Sequence, residues 1–242
     1  MMHIQKHKGD TNYTYQGIPI HAAQGLHEFA IEVILNKCKS GSNILDLGCG
    51  SGAFTKRLQN HGYKTISVDL SLDTFTIKSE SHELNFNTDF SEQLKRCNYD
   101  AIVALEVLEH LENPQHFLQQ IKLIAGAQTV IIISFPNIYL YYSVYLFYKK
   151  GNFSNFSPFL YWETGHQSLI SDWLFEEHLI KNNLIKKEKY FCAPVKFPEN
   201  IFNKIRHFVF YKILCFMNND INPTTRISDC VLYVLENPTN LY

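Results

Sequence analysis

Asp46 precedes three glycines at alternate positions in the run Asn43-Ile44-Leu45-Asp46-Leu47-Gly48-Cys49-Gly50-Ser51-Gly52-Ala53-Phe54. Glycine permits positive φ and close backbone approach. N–H groups exposed at a strand-to-helix turn form a cradle for a ligand. The acid then selects among ligands. A carboxylate at the turn repels the pyrophosphate of a dinucleotide, whereas it attracts both the sulfonium and the α-ammonium of S-adenosylmethionine. Asp46 therefore favours S-adenosylmethionine over NAD. Asp69 lies 21 residues after Gly48, where an acid at the end of the next strand binds ribose hydroxyls; NAD proteins share that feature. Two more groups could handle protons: the run Glu106-Val107-Leu108-Glu109-His110 and, far downstream, His166 after Gly165.

The elements that must position these groups alternate. Gln24–Cys38 has helical periodicity, with Leu26, Phe29, Ala30, Val33 and Ile34 on one face. Ile44, Leu45 and Leu47 make an apolar strand, Ala53–Leu58 a helix, and Lys64–Ser71 a second strand ending in Asp69. A short helix near Leu72–Ile77 and a weak third strand near Glu83–Phe86 follow. The fourth strand is Ala101–Leu105, and its helix is Pro114–Ile124, with proline early where its missing N–H is harmless. Thr129–Ser134 is the fifth strand, Asp172–Asn182 a helix, and Ile185–Phe191 the sixth strand. Cys230–Leu235 is the seventh, at an edge or inserted. This order predicts an α/β fold, a doubly wound, mostly parallel seven-stranded sheet of Rossmann-like type.

At 242 residues, 45% hydrophobic, the chain reads as one domain over 1–242 with insertions at about 138–168 and 196–226. The first insertion concentrates aromatic residues on the edge where open α/β sheets bind ligands. The second holds Ile201–Met217, apolar at helical spacing, with Lys204, Arg206 and His207 on its other face. The two read as an aromatic helical lid, either packed on itself, holding a flat or apolar substrate, or touching a membrane surface. Thr129–Tyr148 is uncharged and long enough to span a bilayer. Pro136-Asn137 interrupts it, so a buried strand and a separate helix fit better than a transmembrane span. Net charge is −1, which does not suit a nucleic-acid partner. The six cysteines show no zinc spacing and read as buried free thiols in a reducing compartment. The N-terminus is polar and basic without an apolar stretch, so a cytoplasmic protein is expected.

The segments Ile44–Phe54, Val68-Asp69-Leu70, Asn87-Thr88-Asp89-Phe90 and Tyr99–Glu106 follow one another as in class I S-adenosylmethionine-dependent methyltransferases, which roughly residues 24–192 resemble. The resemblance implies that Asp46 and the Gly48–Gly50 backbone hold the methionine part and that Asp69 holds the ribose. It further implies that Asp89 meets the adenine amino group, that Leu70 and Phe90 pack on the ring, and that Leu105 borders the methionine part. The Glu-x-x-Glu-His run with the distant Gly-His resembles ubiquinone-biosynthesis O-methyltransferases and small-RNA 3′-end 2′-O-methyltransferases. In those families the acids and histidines can hold a divalent metal that orients hydroxyls. The matching positions are Glu106, Glu109, His110 and His166, reasonable ligands for Mg²⁺, Mn²⁺ or Zn²⁺. A metal-free base at His166 or His110, and purely structural roles, remain open beside the metal.

Methyl transfer from a sulfonium needs an aligned nucleophile and, for a hydroxyl, removal of a proton. The expected activity is O-methylation of a small molecule or a saccharide or lipid precursor, with His166 and His110 as catalytic groups. The alternatives are an accessory protein that binds S-adenosylmethionine without turnover and an NAD-dependent oxidoreductase, which Asp46 disfavours.

Overall fold

The computed structural model describes residues 14–95, 98–217 and 222–238. A small hairpin, β1 (Thr14–Tyr15) and β2 (Ile18–Pro19), leads into α1 (Leu26–Lys37). Next come β3 (Asn43–Leu47), α2 (Ala53–Asn60), β4 (Lys64–Asp69), β5 (Glu80–Glu83), α3 (Ser91–Leu94) and β6 (Ala101–Leu105). After these follow α4 (Pro114–Ile124), β7 (Val130–Pro136), α5 (Tyr141–Lys150), α6 (Pro158–Thr164) and α7 (Asp172–Lys181). The chain closes with β8 (Ile185–Pro194), α8 (Ile201–Met217) and β9 (Ser228–Glu236).

The seven-stranded sheet has the order β5-β4-β3-β6-β7-β9-β8. Its first five strands are parallel, and β9 inserts antiparallel between β7 and β8. The pleat sorts side chains to two cores. In β6, Ile102 and Ala104 join a cluster with Phe117 and Ile121 of α4 and Phe175 and Leu179 of α7. Ala101, Val103 and Leu105 join Leu26, Ala30 and Ile34 of α1 and Phe54 and Leu58 of α2 on the opposite face. A strand covered on both faces has no polar side to show, which is why β6 reads as an unbroken apolar run.

Two expectations need correction. The segment 72–77 is not a helix but a turn followed by irregular chain. A six-residue stretch gains little from helix formation, and here Phe75 and Ile77 are drawn onto Gly52 at the start of α2 instead. The third strand lies at Glu80–Glu83, three residues earlier than its apolar residues indicate. It is the polar outer strand of the sheet, held by backbone pairing of Ile66–Asp69 with Glu80–Glu83. Leu84 and Phe86 point into the core just after it.

The uncharged stretch 129–148 is divided as expected into β7 and α5. Buried Asn137 makes the break, its Nδ2 donating to the carbonyls of Thr225 and Ser228 at 2.6 and 2.8 Å. No helix among the described residues is long and apolar enough to cross a membrane. α5 packs on α8 around Tyr141 and Leu214. None of the five described cysteines is in a disulfide; Cys49, Cys192 and Cys230 are buried, whereas Cys38 and Cys215 are half-buried. Cys97 lies outside the described residues.

Phe175 joins α7 to the inserted strand, its ring centroid 4.9 Å from Phe135 and 4.7 Å from Tyr233. Phe175→Ala is expected to lower stability by about 3–5 kcal/mol in urea unfolding, because it removes a large buried ring whose site cannot fully collapse.

Candidate functional site

The carboxyl ends of β3, β4 and β6 meet at the glycine turn. Gly48, Gly50 and Gly52 all have positive φ, at 77°, 50° and 90°. At Gly48 a side chain would collide with Val107, and at Gly52 with Phe75 and Ile77, so glycine is required there for space as well as conformation. The Gly48 and Cys49 N–H groups donate to the Val68 carbonyl at 2.8 and 3.1 Å. The Gly50 N–H donates to Asp69 Oδ2 at 2.7 Å, and Asp69 Oδ1 accepts from the Leu70 N–H at 2.7 Å. Asp69 thus braces the turn from the neighbouring strand.

Asp46 is buried, and its Oδ2 accepts a 2.6 Å hydrogen bond from Thr55 on α2. Burial raises its carboxyl to about 7; the Thr55 hydroxyl opposes that shift and the Asp69 charge adds to it. Asp46, Gly50 and Phe54 line a narrow cleft with His27. The His27 ring is forced neutral, lowered to about 3 by burial and by the nearby Arg57.

This cleft adjoins a cavity of about 330 Å³ lined in part by Asp69, Leu70, Leu105, Glu106 and His110. Leu105 and Gly48 border both spaces. Leu70 is exposed, offering an apolar surface beside Asp69. Asp89 and Phe90 stand apart from the cavity, contrary to expectation. Asp89 is 83% exposed and sits 3.1 Å from Gln120 Nε2 and 3.4 Å from His116 Nε2. Phe90 is in the core against Phe86 and Phe117. The polar loop after β5 turns at Asn85, whose Oδ1 accepts from the Asn87 N–H. The turn brings Asn85, Phe86 and Asn87 to the cavity instead.

His21 also lines the cavity, and nothing in its local sequence marks it. The strap that carries it is tied down by Ser51 Oγ donating to the Pro19 carbonyl at 2.5 Å and by the Ala23 N–H donating to Glu106 Oε2 at 2.7 Å.

The acids and histidines divide into two sets. Glu106 has a positive φ of 53°, rare for a residue with a side chain and a mark of a site held in place by its surroundings. Its Oε2 receives Ala23, and Cys230 Sγ lies 3.1 Å from its Oε1. Burial raises its carboxyl to about 7, against the hydrogen bonds from Cys230 and Ala23. Glu106 is therefore a latch for the N-terminal strap and is not among the gathered ligand atoms. Those belong to Glu109, His110 and His166 and lie within 4.8 Å of one another.

Glu109 is fully buried, and neither carboxylate oxygen has a hydrogen-bond partner among the described residues. Burial and the Glu106 charge raise its pKa well above the usual carboxylate range. The rings of His110 and His166 meet edge to face, 4.7 Å apart. Burial, then proximity to His166, lowers the His110 pKa. His166 Nδ1 lies 2.8 Å from the Asn155 carbonyl, which directs its Nε2 away from that bond. The loop closes because the N–H groups of Gln167 and Ser168 both donate to the Glu109 carbonyl at 2.9 Å. An orphaned carboxyl beside two imidazoles is a donor set that fits a divalent ion.

Residues 21–181 match a family described as a methyltransferase domain. The chain is 31% identical to the ubiquinone biosynthesis O-methyltransferase of Rickettsia typhi over 124 residues, 46% of this chain and 50% of that protein. It is 33% identical to the enzyme of that name from Coxiella burnetii over 86 residues, 33% of this chain and 37% of that protein. The chain thus spans about half the length of the curated relatives it matches. Among solved structures it resembles an S-adenosylmethionine-dependent methyltransferase from Archaeoglobus fulgidus, with a TM-score of 0.60 and 16% identity over 87% of this chain and 94% of that one. It also resembles the N-methyltransferase NodS from Bradyrhizobium japonicum in complex with S-adenosylhomocysteine, with a TM-score of 0.52 and 14% identity over 88% and 85% of the two chains. The nicotinamide alternative falls with these matches. A carboxylate at the glycine turn, the strand order and the family match agree: the chain belongs to the class I S-adenosylmethionine-dependent methyltransferases.

Proposed function

We propose that this methyltransferase acts on a hydroxyl of a small molecule, oriented by a divalent ion at Glu109, His110 and His166. The observation that carries the reading is the Glu109 carboxyl, buried without a partner and grouped with two imidazoles. Neutralising a buried acid by protonation is the alternative to pairing it with a cation. His110 reaches the cofactor cavity, so the cluster borders the space where a methyl acceptor has to lie. The named relatives are O-methyltransferases, which favours oxygen as the acceptor atom.

S-adenosylmethionine, when bound, supplies an electrophilic methyl group on a sulfonium. The chain's own groups hold it in this reading. Asp46 faces its ammonium and sulfonium charges, Asp69 its ribose hydroxyls, and Leu70 the adenine, with Asn87 at the position expected of Asp89. A divalent ion would supply a Lewis acid that lowers the pKa of the acceptor hydroxyl. The Asn155 contact engages His166 Nδ1 and leaves Nε2 as the nitrogen available to an ion. Phe156 packs beside His166, their ring centroids 5.9 Å apart.

Gly48→Val should abolish S-adenosylhomocysteine binding in calorimetry while the protein still unfolds cooperatively; normal binding would remove the turn from the cradle. A pH effect follows from Asp46. Its folded-state pKa of about 7 lies above the ordinary aspartate value of 3.8, so the folded protein keeps a proton that the unfolded chain releases. This group's contribution to stability therefore declines as pH rises from about 4 to about 7. The α-ammonium of S-adenosylhomocysteine favours the ionised form, so its affinity should rise with pH, by up to about tenfold per unit below pH 7, and then level off. A flat profile would disconnect Asp46 from the ligand's ammonium group.

For the metal, titration with Mn²⁺ should find one site in the native protein and none in Glu109→Gln or His166→Ala. A chelator should abolish turnover of an acceptor found by metabolite screening, and His166→Ala should lower it by about 10²-fold or more. Activity indifferent to chelation but lost in His166→Ala would replace the ion by a histidine base. S-adenosylhomocysteine binding without methylation of any acceptor would mark an accessory protein.

A further inference from the structure

A second cavity lies apart from the glycine turn. It measures about 450 Å³ and lies between α5, α8 and the irregular segment after β8, with Lys149, Lys150, Lys196 and Arg206 around Tyr142 and Tyr145. The chain as a whole carries 22 basic and 23 acidic residues. α5 and α8 nevertheless contain Lys149, Lys150, Lys204, Arg206 and Lys212 without one acid. The sequence shows no basic run; the packing of two distant helices assembles the cluster. Stacking holds it in place, with the Arg206 guanidinium 5.6 Å and the Lys149 ammonium 5.9 Å from the Tyr145 ring centre.

Beside this cavity α8 presents an apolar ridge. Its inner side, at His207, Phe210, Tyr211 and Leu214, follows the helical repeat against α5 and its surroundings. At the same repeat, Phe202, Ile205, Val209, Ile213 and Phe216 form a stripe on the outer side. All five are exposed, Phe202 by 80% and Phe216 by 81%. Arg206 sits where the stripe meets the cavity mouth.

We propose that the α5–α8 face docks on an anionic phospholipid bilayer, α8 lying along the interface and the cavity receiving a lipid phosphate. Charge complementarity selects this occupant. A helix with bulky apolar residues on one side and cations beside them is the composition that binds such surfaces. A second copy in a two-fold contact would bring two basic faces together. Nucleic acid would satisfy the cations but leave the five apolar side chains in water.

The test is flotation of the whole chain with vesicles of phosphatidylcholine alone or mixed with phosphatidylglycerol. Binding is expected only with the anionic vesicles and should weaken as salt is raised. Each basic side chain near such a surface is worth about fivefold in partitioning, so Lys150→Gln with Lys196→Gln should lower it about 25-fold. Phe202→Ser with Phe216→Ser should also lower it, and neither pair should alter S-adenosylhomocysteine affinity. Native protein that stays off anionic vesicles overturns the proposal, as does binding indifferent to both pairs. A concentration-dependent dimer dissociated by the phenylalanine pair, without vesicle binding, would assign the face to a second copy. Salt-sensitive RNA binding without vesicle binding would assign it to nucleic acid.

Discussion

Buried carboxyl groups at one end of the sheet are the constraint around which the ligand end is organised. Asp46 lies next to the end of a strand covered on both faces, so its side chain has little access to water. Glu106 and Glu109 follow a second such strand, with Asp69 braced on the turn between them. Burial alone raises carboxyl pKa values, and like charges nearby raise them further. Hydrogen-bond donors and cations relieve that cost while the groups remain ionised, and S-adenosylmethionine carries two centres of positive charge. The same fold that excludes water from the strand ends therefore prepares them for a cationic ligand.

The four acids are not equivalent, and their partners separate them. Asp69 is committed to the backbone of the turn and of its own strand end, with lone pairs to spare. Glu106 is committed to the strap that carries His21 over the cavity. Asp46 has a single hydroxyl donor from Thr55. Glu109 has no partner among the described residues. Chemistry follows what remains unsatisfied: Asp46 lines the cofactor cleft and Glu109 the histidine pair. A shared carboxylate identity thus resolves into a brace at Asp69, a latch at Glu106 and two acids, Asp46 and Glu109, with few or no donors of their own among the described residues.

Outside this machinery, the helices that decorate the sheet answer to different physics. α5 and α8 bury only a narrow seam against each other, with Tyr141 and Leu214 at its centre. Most of α8 remains accessible, including large apolar side chains that the sheet's own helices keep inside. Large exposed apolar patches on folded proteins mark contact surfaces. Here the patch borders the basic cavity between α5 and α8 rather than the cavity beside the glycine turn.

The glycine turn, Asp46, the order of strands and helices and the boundaries of α4 and α8 were legible in the sequence because each rests on local chemistry: φ freedom, side-chain charge, apolar periodicity, a proline at a helix start. The doubly wound sheet follows from that alternation. Three features were not legible. The outer strand Glu80–Glu83 has no apolar period, since backbone pairing alone holds it there. Asn85 to Asn87 replace Asp89 and Phe90 at the cavity because a turn, not residue type, decides which side chains face it. Glu106 and Glu109 look alike in the run Glu-x-x-Glu-His, yet Ala23, 83 positions before Glu106, claims one of them. The residues by themselves determined which chemistry was available at this end of the sheet. Tertiary contact decided which groups were free to perform it, because a buried polar atom's role depends on the partners that distant segments bring to it.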